Sequence, residues 1–295
     1  ARGERKRPFA ALLAAAVAGT LGGPGAPVGA ATAGVGWLTL DWLAIDGLLL
    51  ALVVAPLERK RPRVAARGRR AEWKTDLRYF VMNHLTLHAV TALSTTAAGL
   101  TVFGLGLTHL HGVVDRWPIV LQLLAIALVA DGVQYALHRA MHEVPWLWRV
   151  HAVHHSSRHM DALAGSRVHV VETLLTRVGV ALPLFVLGFP FETVLLYGGL
   201  MVIQSTLLHA NIDLRYGGLE RWLVSARYHH WHHSSEDAAI DTNYAAVFPF
   251  IDRLFGTHHL PADAAWPTRY GVVKEDVPEG LWAQQLFPLR SGSRG

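Results

Sequence analysis

The chain has 295 residues, 52% of them hydrophobic and 17% charged, with a formal net charge of +5 and a mean hydropathy of +0.27. A water-soluble domain carries about 25% charged residues, so an ordinary soluble globule is excluded, as are a disordered chain and a collagen. With no cysteine, the chain can form no iron–sulfur cluster, thiolate zinc site, cysteine nucleophile or disulfide scaffold, so any metal must be held by nitrogen and oxygen.

A helix of about 20 apolar residues crosses a bilayer. Stretches of that kind predict six spans, near Pro8–Ala31, Gly36–Pro56, Tyr79–Leu107, Pro118–Leu137, Val171–Gly188 and Phe191–His209. The first is interrupted by Gly22-Gly23-Pro24-Gly25. Its basic start from Arg2 to Arg7, followed by apolar and then small residues, also fits a signal peptide, and both readings stand. The third is polar for a span, with Asn83, His84, Thr86 and His88, which suits a place inside the bundle.

The loop from Glu58 to Arg78 concentrates the basic residues Arg59, Lys60, Arg61, Arg63, Arg67, Arg69, Arg70, Lys74 and Arg78. The positive-inside rule puts it in the cytoplasm. One hairpin of spans precedes this loop and two follow it, with far-side turns at Thr108–Trp117 and Gly188-Phe189-Pro190, so every histidine-rich stretch emerges on the cytoplasmic side. Because the positive charge sits in one juxtamembrane loop, contact with anionic headgroups explains it better than nucleic acid does. The polar segment Asn211–Gly295 is too long for a loop and is expected to fold as a cytoplasmic cap. No internal repeat of fixed period is present.

Eighteen histidines are the second anomaly, and three clusters hold the informative ones. His138 and His142 stand at i and i+4. His151, His154 and His155 stand at i, i+3 and i+4, and His229, His232 and His233 repeat that spacing. Residues three and four apart share one helical face, about 5–6 Å from each other, so each cluster can aim its imidazoles at one small volume. A lone histidine on an apolar face is usually a satisfied core or surface residue. Helix propensity gives no reason to repeat a triplet, and unliganded clusters would crowd basic groups together. Eight such nitrogens are too many for one ion and enough for two. No His-Glu-x-x-His and no Glu-x-x-His pair is present, so the common zinc protease and soluble carboxylate-bridged di-iron arrangements are absent. All-imidazole ligation suits zinc, copper, iron or nickel. Carboxylates behind the rings would offset the ions' charge and orient the imidazoles; Asp131, Glu143, Asp161, Glu172, Asp237 and Asp241 are the candidates. Asp131, seven residues before His138 and on its helical face, is an acid within a span, which points to a role in function.

Asp131-Gly-Val-Gln-Tyr135-Ala-Leu-His138-Arg139-Ala-Met-His142, Leu147-Trp148-Arg149-Val150-His151-Ala-Val-His154-His155 and His229-His230-Trp231-His232-His233 resemble the three histidine boxes of the sterol desaturase / fatty acid hydroxylase family of membrane di-iron enzymes. Asp241-Thr242-Asn243-Tyr244 and Asp252-Arg253-Leu254-Phe255-Gly256-Thr257 continue the likeness, which runs from about Glu72 to Thr257. His209 in His209-Ala210-Asn211-Ile212 matches the family's intervening histidine and joins the implied ligands. Ser166-Arg167-Val168-His169 with Glu172 resembles a further family element. The resemblance therefore implies metal ligation by His138, His142, His151, His154, His155, His209, His229, His232 and His233, backed by Asp131, Tyr135, His169, Glu172, Asp241 and Asn243. Val170, Ala226 and Ala245 depart from common family residues and put only local loop geometry in question. His159 and His230 lie off the box spacing and read as bystanders. His258 and His259 read as surface or supporting groups, and His84, His88, His109 and His111 as packing or far-side-loop residues.

The implied fold is an all-α polytopic membrane bundle with a cytoplasmic helical cap holding a di-metal histidine site. Residues 1–78 would form an N-terminal hairpin and basic loop, 79–257 the catalytic domain and 258–295 a C-terminal cytoplasmic tail. The implied activity is O2-dependent hydroxylation or desaturation of a C–H bond in a sterol, fatty acyl or related lipid, at two iron ions. Gly104-Leu-Gly106 lies in a span rather than after a strand, so no dinucleotide fingerprint is present. Electrons would come from NAD(P)H through a separate reductase and a ferredoxin or cytochrome b5-like carrier, and the basic loop is one place such an acidic partner could dock. The Ala-, Arg- and Gly-rich composition fits a bacterial inner membrane. Two other readings are a histidine-rich metal transporter or sensor, which would place its histidines along the spans, and a bis-histidine haem protein, which needs ligands facing each other across spans.

Overall fold

The computed structural model describes residues 38–65, 70–273 and 275–290. The span expected at Pro8–Ala31, together with Arg67 and Arg69 of the basic loop, lies outside the described residues.

Among the described residues the secondary structure is helical, with two isolated bridges, Pro62 to Ile212 and Ser234 to Tyr270, and no strands. The α-helices up to His209 are α1 (Leu38–Leu49), α2 (Ala55–Lys60), α3 (Trp73–Gly104), α4 (Ile119–Glu143), α5 (Pro145–His155), α6 (Val170–Leu187) and α7 (Phe191–His209). Short helices follow: α8 (Ala226–His232), α9 (Pro249–Phe255) and α10 (Leu281–Gln285).

The helices α4, α6 and α7 are each long and apolar enough to cross a membrane, and α3 makes a fourth if its halves, bent by 46° between Leu87 and Ala89, are one span. Thr86 lies at that bend, and its hydroxyl donates to the Met82 carbonyl at 2.8 Å. Back-bonding of this kind bends helices. The span expected at Gly36–Pro56 is helical from Leu38, but a π-helical stretch over Leu50–Val54 divides it into pieces of 12, 5 and 6 residues, none long enough by itself. Its Asp46 is buried and meets His84 of α3 at 3.1 Å, which explains a histidine inside a span as an interhelical tie.

Helix α3 packs along α6, and α4 packs against α5, α6 and α7. The turn after α6 is closed by Gly188 at φ 72°, where a Cβ would strike His111, whose Nε2 donates to the Phe185 carbonyl at 2.7 Å. Leu121, Leu124 and Leu128 keep an exposed apolar stripe on α4, as a lipid-facing helix would. After α7 the described residues form only short helices, α8 to α10 and short 3-10 turns, joined by irregular segments.

Candidate metal centre

Local signals shape the helices that carry the histidines. Pro145 starts α5 at the first helical position, where a missing N–H costs nothing. Ser225 caps α8 by accepting the Tyr228 N–H at 3.2 Å. Helix α5 then carries His151, His154 and His155, and α8 carries His229 and His232 with His233 at its C-cap.

The structure sorts nine histidines into two groups. His138, His142, His151, His155 and His232 form one, and His154, His209, His229 and His233 the other, with one nitrogen per residue lying within 4.8 Å of the others in its group. The two triplets are split the same way. In each, the i and i+4 residues face one group while the i+3 residue turns to the other: His151 and His155 with His232, and His229 and His233 with His154. The rings of His155 and His233 stack at 4.4 Å where the groups meet. These are the nine residues that the boxes and the intervening histidine imply as ligands.

The tautomers test whether a cation fits. A main-chain carbonyl can only accept, so a ring nitrogen facing one must carry the proton. His138 Nδ1 donates to Tyr244 O at 2.8 Å, His232 Nδ1 to Thr242 O at 2.8 Å, His154 Nδ1 to Arg167 O at 2.9 Å and His209 Nδ1 to Ser205 O at 2.8 Å. In the neutral rings each Nε2 then presents a lone pair. Yet His154 Nε2 faces His209 Nε2 at 3.4 Å, and His138 Nε2 faces His151 Nε2 at 3.0 Å. The Nε2 atoms of His142 and His232 are buried without a partner. Lone pairs turned on one another in a dry site repel unless a positive charge lies between them. Protonating the rings is opposed by burial: His151, His154, His155, His229, His232 and His233 are all pushed well below the ordinary 6.5 by desolvation, and neighbouring imidazoles add to it. A pair of metal ions fits this donor set.

Carboxylates reach the five-histidine group directly. Glu172 Oε1 accepts from His151 Nδ1 at 2.9 Å, and Asp241 Oδ1 accepts from His142 Nδ1 at 3.1 Å. Asp241 is exposed, and His142 is the least buried member of its group. Residues 241–244 serve three imidazoles in succession, through the Asp241 carboxylate, the Thr242 carbonyl and the Tyr244 carbonyl. This needs left-handed backbone at Asp241 (φ 58°) and Asn243 (φ 62°), a conformation that Asp and Asn tolerate better than other non-glycine residues. Asn243 then anchors the turn, donating to the carbonyls of Tyr228 and His259 and accepting the His259 N–H at 2.7 Å.

The remaining supporting residues stand further back. Asp131 touches no imidazole; its carboxylate accepts the main-chain N–H groups of Ala246, Val247 and Phe248 at 2.7, 3.1 and 2.7 Å, pinning the strand of loop that begins at Tyr244. Buried Asp252 does the same for Tyr244 and Ala245, a role the sequence reading did not single out. Tyr135 bonds Thr257 at 3.0 Å and packs edge-on against Tyr244, which in turn faces His138 and His142. His169 caps α6 and donates through Nε2 to the Gln285 carbonyl at 2.8 Å, outside both groups. Of the other candidate acids, Glu143 pairs with Arg139, Asp161 with Arg70, and Asp237 sits exposed in a short turn. His230 is buried against the Tyr270 hydroxyl at 2.9 Å, off both groups, as its spacing suggests. The basic loop is partly internal: the half-buried Arg70 pairs with the carboxylates of Asp76 and Asp161, and Arg63 lies over the rings of Trp266 and Tyr270.

The fold and site together define a membrane helical protein with two adjoining polyhistidine groups at the end of its spans. Residues 123–257 match the family model described as fatty acid hydroxylase. The chain is 30% identical over 259 residues to an ornithine lipid hydroxylase of Rhizobium tropici, covering 86% of this chain and 78% of that one. It is 29% identical over 147 residues to methylsterol monooxygenase 1 of Gallus gallus, covering 48% of each chain, and 30% identical over 160 residues to the alkylglycerol monooxygenase of Danio rerio, covering 54% of this chain and 35% of that one. The chain thus spans about half or less of the last two. No solved structure matches it. The chain belongs to the fatty acid hydroxylase family and is an enzyme of that oxygen-dependent, lipid-hydroxylating class.

Proposed function

We propose that this protein hydroxylates a C–H bond in the acyl portion of a membrane lipid, using O2 and two iron ions held by the two histidine groups. One observation carries the reading: nine imidazoles, converging from α4, α5, α7, α8 and the turn after α8, each bring a ring nitrogen into one of two adjoining volumes at the end of an apolar bundle. His138, His142, His151, His155 and His232 would hold one ion, and His154, His209, His229 and His233 the other. When bound, the iron pair supplies the reduction of O2 and the attack on an unactivated C–H bond.

The chain's own residues supply the rest. Main-chain carbonyls of Ser205, Arg167, Thr242 and Tyr244 fix the tautomer that leaves each Nε2 free to ligate. Glu172 and Asp241 bring negative charge against a neutral ligand set, and such outer partners raise ligand basicity and fix ring orientation. Burial keeps bulk water from the groups. The apolar spans bring an acyl chain to the histidine end without exposing it to water, and the aromatic pair Tyr135 and Tyr244 walls the five-histidine group. Residues 79–257 are taken as the catalytic unit, preceded by an N-terminal hairpin with its basic loop and followed by a tail from 258.

The basic loop favours the cytoplasmic side for the histidine end, in a bacterial inner membrane. Electrons then arrive from NAD(P)H through a separate carrier such as a ferredoxin or a cytochrome b5-like protein. Hydroxylation is preferred to desaturation because the relatives that cover the chain are hydroxylases and monooxygenases. The ornithine lipid hydroxylase, matched over most of its length, makes an amino-acid-containing acyl lipid the first substrate to test.

The test is mass spectrometry of lipids from cells making ornithine lipid, with and without this protein, under isotopically labelled O2. A lipid gaining one labelled oxygen atom is expected. Loss of two hydrogens instead would make the protein a desaturase. No altered lipid, from protein that is membrane-inserted and metal-loaded, would overturn the reading.

A further inference from the structure

The two histidine groups are supported from different parts of the chain. The five-histidine group is propped by Tyr244, Thr242, Asp241 and Glu172, all within the segment that matches the family model. The four-histidine group leans on Glu58, Arg70, Asp76 and Asn83, which precede that segment.

The contacts run through two loops. The loop 161–167 follows α5, and its backbone touches two of the four histidines. The Arg167 carbonyl accepts the His154 Nδ1–H, and Gly165 lies so close to the His209 ring that a Cβ there would fall 2.6 Å from it. The second loop, from Ala210, begins where His209 ends α7.

Each anchor of these loops comes from the N-terminal part. Asp76, fully buried in the first turn of α3, accepts from Arg167 Nε at 2.6 Å and also pairs with Arg70. Arg70 grips Asp161 through two bonds of 2.6 and 2.8 Å. Asn83 donates to the Ser166 carbonyl at 2.7 Å. Glu58 accepts, on one oxygen, the main-chain N–H of Ala162 at 2.9 Å and of Asn211 at 2.8 Å, tying both loops together. Arg167 is itself only 1% exposed, and its remaining guanidinium nitrogens meet Ser156 at 3.0 Å and Glu72 at 3.6 Å.

We propose that Asp76 and Arg167 are positioning residues for the four-histidine ion: the N-terminal part of the chain, through this buried ion pair and its neighbours Glu58, Arg70 and Asn83, sets the place of His154 and His209. This rests on the two-ion reading above. A buried pair relieved of one partner leaves the other charge uncompensated, so the loop moves to solvate it. A shift of the Arg167 carbonyl releases the His154 tautomer and spoils one ligand set. The other set shares none of these anchors.

The experiment is titration of the full chain in detergent with Co2+ alone, following the two binding steps by absorption and by metal content per chain. Asp76→Asn is expected to weaken one step about tenfold or more, in the range seen for residues behind metal ligands, and to leave the other within about twofold. Glu172→Gln should weaken the opposite step, which identifies the two. Should Asp76→Asn fail to accumulate as folded protein, Glu58→Gln and Asn83→Ala carry the same expectation with milder effect. Equal weakening of both steps, or of neither, would overturn the proposal. A wild-type chain that binds fewer than two Co2+ ions would instead remove the two-ion reading beneath it.

Discussion

The five-histidine and four-histidine groups use the same kind of ligand and almost the same helical spacing, yet they are built differently. The first has two carboxylates against its rings, one buried at Glu172 and one exposed at Asp241. The second has its described ring bonds to main-chain carbonyls, of Arg167 for His154 and of Ser205 for His209. One group therefore has carboxylates directly against its rings, one of them reaching water at Asp241, whereas the protein groups bonded to the rings of the other are main-chain carbonyls in enclosing loops. Identical donor chemistry can thus give two ions unequal affinity and unequal access, through what stands behind the rings.

The largest effects are expected at the ligands themselves. His151→Ala and His229→Ala each remove one inward-facing nitrogen from a different group. Each is expected to lower hydroxylation by more than about a hundredfold, with metal content falling from two ions to one per chain and the protein still membrane-inserted. If either variant kept both ions and near-normal activity, the division of the nine histidines would be wrong.

A smaller effect, confined to one group, is expected at Asp131. Asp131→Ala leaves three main-chain N–H groups of residues 246–248 without their acceptor, which costs about 3 kcal/mol or more for a buried carboxylate network. Because that loop begins at Tyr244, whose carbonyl orients His138, the five-histidine ion should bind less tightly while the four-histidine ion is spared. Thermal unfolding and metal content of the purified variant check both parts. Unchanged unfolding would show that Asp131 does not hold the loop.

The mildest perturbation is pH. The six imidazoles of α5, α8 and His233 titrate well below 6.5 in the folded chain but near it when unfolded. Below that value the unfolded, metal-free chain binds more protons, so stability and metal retention are full above about pH 6.5 and fall as the pH drops beneath it. Dialysis at stepped pH, with metal analysis at each step, should show loss only on the acid side. Ions released on raising the pH through 8 instead would contradict neutral imidazole ligation.

Much of this was legible in the sequence. Spacing of three and four placed His151, His154 and His155 on one side of a helix, and likewise His229, His232 and His233, because helical periodicity is a local property. What spacing could not say is that each triplet divides between two groups, since the direction of the partner depends on how α5 and α8 cross. His209 was found by resemblance alone: a single histidine at the end of a span has no periodic signal. Asp131 was picked out as an acid within a span, but its partners are three N–H groups more than a hundred residues away. Asp76 went unnoticed, and Asn83 and Asp252 stood out only as a polar residue of a span and as part of a motif, because a buried carboxylate or amide reads like any surface one until its loop is in place. Within the basic loop, Arg63 and Arg70 make contacts inside the protein, which a run of charges cannot show because the partners come from residues 76, 161, 266 and 270.

By itself, then, the amino-acid order determined an apolar, cysteine-free, helical chain with imidazoles repeated at helical intervals, because hydropathy and side-chain periodicity act within one element. Only the tertiary structure decided which nitrogens share a volume, which tautomer each ring adopts and which carboxylate stands behind it. Those depend on main-chain carbonyls and on contacts across the fold, and no stretch of sequence carries either.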